Sequence, residues 1–164
     1  MNLFINKFVR VLTYLLDRCM LCIDMKIPYC DVFSYSEWWR YIGSDLGIDT
    51  ATMLWLMRNP VMNRSIEYAD NRISLYAAQY GNCAVTGIHM EPHDIHCHHK
   101  VPVSQGGSDE YANLTLVRKE VHIVIHATSE PTIKEYLKSL NLDKKQIKKL
   151  NKLRTMAGTP TIIL

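Results

Sequence analysis

Two histidines stand side by side at His98 and His99, and two more, His122 and His126, lie four residues apart. Between the pairs run Pro102, Gly106, Gly107 and Asn113, and five of the chain's seven histidines fall between residues 96 and 126. On a helix, residues at i and i+4 share a face, so the side chains of His122 and His126 lie one above the other. Imidazole suits borderline divalent ions, with Zn–N bonds of ~2.0–2.1 Å, and two rings so spaced can converge on one cation. The third ligand has to arrive from another element, and His98, at the end of an extended segment, is the candidate. Three protein ligands leave positions open for a phosphate and a water, whereas four would make a structural site. His99 then becomes the spare imidazole, a group that titrates near ~6.5 and accepts a proton from water at neutral pH. Together these residues supply the parts of a metal-assisted phosphodiester hydrolysis.

Other residues of the same span have supporting parts. Asn113, with two donors and an acceptor, is placed to bond across the loop and hold His99 and the metal-facing strand in register. Lys100 and Arg118 are candidate phosphate clamps. His96 shares a strand face with His98 and is available as a neighbouring partner or a substitute ligand. His89 and His93 receive no role. Lys144, Lys145, Lys148, Lys149, Lys152 and Arg154 form a basic run able to neutralise several phosphates.

The elements that must position these groups follow from periodicity and punctuation. Apolar residues from Leu3 to Cys19 recur at helical spacing, and Ser36 caps a short helix through Ile42. Asp49 or Thr50 starts another that stops before Pro60. A helix is expected over Arg64–Tyr80, with Ile66, Ala69, Ile73, Tyr76, Ala77 and Tyr80 on its apolar side and Gly81 as its C-cap. Cys83–Gly87, Ile95–His98 and Leu114–Val117 read as three strands, the last two joined by a long loop from Pro102 to Asn113. A helix carries His122 to Ala127, Pro131 opens the next, and Leu142–Met156 makes a last, basic helix. The expected fold class is α+β, mostly helical, in two parts: an N-terminal helical segment over 1–62 and a histidine-bearing domain over 63–164.

Composition narrows the context. The 164 residues are 48% hydrophobic and 21% charged, an ordinary globular balance that argues against wholesale disorder. Residues 1–80 carry eight basic and eight acidic side chains, residues 81–164 eleven and eight, so the net charge of +3 lies in the histidine-bearing half. Five cysteines show no disulfide framework, and Lys7, Arg10, Asp17, Arg18 and Asp24 interrupt the apolar N-terminal stretch. The expectation is a cytoplasmic protein with reduced thiols and no membrane span. Cys19-x-x-Cys22 reads as buried thiols, and Thr86 stands where Cys83 would need a zinc-binding partner. Tyr68-Ala69-Asp70-Asn71 is set aside as a polymerase box because it lies within a helical pattern.

His98-His99-Lys100-x-Pro102, Gly106-Gly107, Tyr111, Asn113-Leu114 and His122-x-x-x-His126 resemble the motif of HNH endonucleases, in the version seen in colicin DNases. The resemblance implies a ββα-metal (His-Me finger) unit around a single divalent ion. By motif position it makes His98, His122 and His126 the metal ligands, His99 the general base and Asn113 the middle asparagine. A wider similarity, through Arg58–Ser65, Asp70–Tyr76, Cys83–Gly87 and the tail to Gly158, is to the C-terminal region of group II intron-encoded reverse transcriptase/maturases. In those proteins an HNH domain nicks a DNA target. This chain is too short for a polymerase, so a remnant or a free-standing relative is expected, with DNA, and in an intron context RNA, as partner. The metal is Zn2+, Mn2+, Ni2+, Co2+ or Mg2+, with three neutral imidazoles favouring the borderline ions. The alternative is a catalytically idle nucleic-acid-binding module that uses the same fold and basic tail.

Overall fold

The computed structural model describes residues 48–163. The helices expected over 3–19 and 36–42 lie outside the described residues. The first described helix, α1 (Thr50–Arg58), starts where Asp49 accepts hydrogen bonds from the Ala51 and Thr52 amides, and it ends before Pro60. Ser65 caps α2 (Ile66–Ala78) through the Tyr68 amide. The cap at its far end is Gln79, not Gly81, and the chain turns through left-handed Tyr80 (φ 54°) and Gly81 (φ 70°). Gly81 is required there, because a Cβ would sit 2.6 Å from the His89 ring.

The side of α2 that faces inward also differs from expectation. Ile66 is 82% exposed, while Tyr68, Arg72, Leu75 and Tyr76 are buried. The helix is oriented by polar anchors: the Tyr68 hydroxyl donates to the Cys97 carbonyl at 3.1 Å, and Arg72 to the Asn59 carbonyl at 2.9 Å. Its apolar residues alone would have set a different rotation.

Two strands follow, not three. Cys83–Gly87 forms a tight turn. The Cys83 amide donates to Ile88, the Gly87 amide donates back to Cys83, and a single bridge pairs Asn82 with His89. The sheet consists of β1 (Ile95–His99) and β2 (Leu114–Arg118), antiparallel, with His98 opposite Thr115 and His99 opposite Leu114. A lone two-stranded sheet is marginal in water. Here the free edge of β2 is closed by the Gln79 amide, which accepts from the Leu116 amide and donates to its carbonyl; Ala84 donates to that carbonyl too. Leu114, Thr115, Leu116 and Val117 are all buried. Since successive residues of a strand face opposite sides, both faces of β2 are covered.

Within the connection, short 3-10 turns at Val103–Gln105 and Tyr111–Asn113 replace the structureless loop expected there. Helix α3 (Lys119–His126) begins a turn before His122 and continues directly from β2. After it come α4 (Glu130–Leu140), with Pro131 in its first turn, and α5 (Lys144–Met156), opened by an Asp143–Gln146 capping box. Val121, Val124 and Ile125 of α3 are buried, as are Leu150 and Leu153 of α5, and the two helices pack together. Among the described residues no helix is long and apolar enough to cross a membrane.

Arg154 leaves the basic face of α5 and is buried, 1% exposed. Its guanidinium donates to the carbonyls of Val124, Ile125 and Ala127 at the C-terminus of α3, and its Nε to Pro160. Those carbonyls have no partner within the helix, and a cation there also meets the negative end of the helix dipole. Replacing Arg154 with Met should cost about 3 kcal/mol or more, because several buried carbonyls lose a charged donor at once. Urea denaturation checks this; parental stability would mean that water substitutes for the guanidinium.

Candidate metal centre

The ladder and α3 bring the imidazoles together. His98 projects from β1 beside the first two turns of α3, and its ring lies 5.4 Å from that of His122 and 5.1 Å from that of His126, centroid to centroid. One ligand atom from each of the three can be chosen so that all lie within 4.8 Å of one another. Among the described residues no other group of histidine, cysteine or carboxylate side chains converges in this way. His98 is 1% exposed, and among the described residues neither ring nitrogen has a hydrogen-bond partner. A buried polar group without a partner is costly. An ion held by the three rings would give one of those nitrogens its partner, so the donor set fits a divalent cation with nitrogen ligands.

The rings are also in the ligating protonation state. Burial, reinforced by His122 and His126, pushes the pKa of His98 down to about 3. Burial and the neighbouring His126 and His96 take His122 to about 4. His126, more exposed, is lowered by partial burial and by the Arg154 charge behind it. Neutral imidazoles bind metal without first losing a proton.

His96 lies on the His98 side of the strand and stacks on His122 at 5.2 Å, outside the converging set. His99 is on the other side. Its Nε2 lies 2.8 Å from an Asp109 carboxylate oxygen, its ring stacks on Tyr68 at 5.5 Å, and its side chain is 10% exposed. Asp109 also accepts from the Ser65 hydroxyl; that hydrogen bond first, and His99 second, hold its carboxyl below the usual range. The Asn71 side chain donates to the Asp109 carbonyl. Sequence reasoning missed Asp109, Ser65 and Asn71, and the only sign of the last two was that they lie within the stretches of wider resemblance.

Asn113 is occupied with the loop. Its oxygen accepts from the Val101 amide at 2.9 Å, and its Nδ2 donates to the carbonyls of Val101 and Ser108. The Lys100 amide donates to the Asn113 carbonyl at 2.7 Å, so residue 113 pins both ends of the connection. Gly107 completes this contact, since a Cβ there would run into the Val101 carbonyl.

The histidines open onto a cavity of about 450 Å3 that is also lined by Arg64, Tyr68, Arg72, Cys97 and Val103. Lys100 and Arg118 are not among its lining residues. Lys100 donates to the Ala112 carbonyl, and Arg118, at the opposite end of the ladder from His99, pairs with Asp94 and Glu120. The exposed lysines Lys144, Lys145, Lys148 and Lys149 stay on the surface of α5, and the last three border a shallow groove with Lys152. Burial pushes the Cys97 thiol up to about 11, so it stays protonated at neutral pH.

Below pH ~6.5 an unfolded histidine takes up a proton that buried His98 and His122 refuse, so the unfolded state is favoured. The stability contributed by these neutral rings is fully present above pH ~6.5 and declines as pH falls through about 4 and about 3. For His98 the slope is at most ~1.4 kcal/mol per pH unit. Chelator-treated protein should therefore be less stable to urea at pH 5 than at pH 7, and His98→Leu should remove part of the difference. An unchanged difference in that variant would contradict the assignment.

Comparison with known proteins bears on this span. Residues 81–123 match the family model for HNH endonucleases. The match takes in His98, His99, Asn113 and His122, ends three residues before His126, and does not extend to the Arg58–Tyr76 stretch. No curated protein and no solved structure shows significant similarity to the chain. Residues 81–123 are thus similar in sequence to HNH endonuclease domains, and that stretch holds β1, β2 and the first half of α3.

Proposed function

We propose that this protein is a metal-dependent endonuclease that hydrolyses phosphodiester bonds of DNA. The observation that carries the reading is His98: buried, with both nitrogens unpartnered, and within ligand distance of His122 and His126. His98, His122 and His126 would hold one divalent ion. When bound, such an ion polarises a phosphodiester and neutralises charge on the departing oxygen.

The chain's own residues supply the rest. Asp109 is ionised and can only accept, so the proton on the His99 ring sits on Nε2 and the Nδ1 lone pair is left free. His99 Nδ1 removes a proton from a water as that water's oxygen adds to phosphorus. The P–O bond to the departing sugar oxygen then breaks, and solvent protonates that oxygen. Tyr68 and Asp109 hold the ring, Asn113 holds the loop that carries Asp109, and neither Asp109 nor Asn113 touches the reacting atoms in this scheme. The lysines of α5 attract the polyanion without reading its sequence.

Supercoiled plasmid incubated with protein and a divalent metal tests this. The parent should nick or linearise it. His99→Ala should retain the metal and lose roughly 10²–10⁴-fold in rate, whereas His98→Ala should lose both metal and activity. Asp109→Asn presents an amide that favours the opposite His99 tautomer, and it should slow cleavage with metal content unchanged, while Asp109→Glu restores part of the rate. Plasmid retarded on a gel but never cut would replace the nuclease with a nucleic-acid-binding module.

A further inference from the structure

Metal binding accounts for only one side of the cavity. Arg64, just before α2, and Arg72, within it, line it as well, together with Tyr68. Arg72 is 5% exposed, donates one hydrogen bond to the Asn59 carbonyl and stands 5.9 Å over the Trp55 ring. Arg64 stands 5.3 Å over the ring of Tyr68. Among the described residues neither arginine has a carboxylate within ion-pair distance. Arg64 is exposed and Arg72 buried, and the contrast of Arg72 with the other covered arginines is sharp. Arg118 has two carboxylates, and Arg154 spends its donors on four carbonyls. A guanidinium has five donors and is costly to bury without a counter-charge.

We propose that Arg64 and Arg72 form an anion subsite that grips a backbone phosphate of the nucleic-acid strand beside the imidazole triad. This rests on the nuclease reading for the identity of the anion. The forked guanidinium matches the two non-bridging oxygens of a phosphodiester. A cavity of about 450 Å3 is of small-ligand size, so it takes one or two backbone phosphates and not the width of a duplex. The subsite needs no metal, which separates its test from the hydrolysis.

The test is fluorescence anisotropy of a short DNA duplex with the full chain in chelator, across a range of salt. Arg64→Gln and Arg72→Gln should each weaken binding about tenfold or more and lower the salt slope by about 0.9. Arg58→Gln, an exposed arginine outside the cavity lining, should leave both nearly unchanged. If circular dichroism shows that Arg72→Gln does not fold, Arg72→Lys replaces it, keeping the charge and slope but losing affinity with the fork. Parental affinity and slope in Arg64→Gln and the Arg72 variant, or an equal loss in Arg58→Gln, overturns the subsite. Plasmid nicking by the same preparations separates the two claims. Nicking with arginine-independent binding removes only the subsite, and arginine-dependent binding without nicking supports the subsite and removes the nuclease.

Discussion

His98 is buried, and among the described residues nothing satisfies its ring. An imidazole closed off from water with both nitrogens unpartnered is a standing cost to the fold. Two more imidazoles stand 5.4 Å and 5.1 Å from it, centroid to centroid, and burial lowers the pKa of both. The surrounding elements are arranged to impose this and not to relieve it. The ladder fixes His98 against Thr115, and β2 runs without a break into α3, so the helix carrying His122 and His126 has little freedom to move away. Arg154 then secures the end of that helix by its carbonyls. A cation with nitrogen ligands is the group that turns this cost into stabilisation.

The alternation of a β-strand gives adjacent histidines separate duties. His96 and His98 face α3, whereas His99 faces Tyr68 and Asp109. One strand end therefore carries, at adjacent positions, the candidate ligand His98 and the base of the proposed mechanism, His99. Electrostatics follow the same division: burial lowers the pKa of His98, and His99 has a carboxylate partner in Asp109.

What was legible in the sequence was local. The i, i+4 pair, the strand bearing His98, the asparagine at the end of the loop and the helix start at Asp49 all follow from short-range chemistry. Partnerships made by the folded loop were not legible, because the reach from His99 to Asp109 depends on two 3-10 turns and on the Asn113 grip between them. The inward face of α2 was misread for a related reason. Tyr68 and Arg72 turn inward to polar partners and the cavity, while Ile66 is left in solvent, against the usual apolar logic of a helix. Cys83–Gly87 has strand-like residues, but the Gly87 amide closes on Cys83 and makes a turn. Arg154 reads as one more charge in a basic run, and only tertiary packing sets it apart.

The central claim, that His98, His122 and His126 hold one metal ion, is tested most directly by metal analysis with X-ray absorption on protein purified without chelator. The parent should carry one equivalent of divalent metal with nitrogen neighbours, at ~2.0–2.1 Å for zinc, and His126→Ala should lose it. A parent that carries no metal and takes none up when it is supplied would contradict the account, as would a His126→Ala variant that keeps its full equivalent.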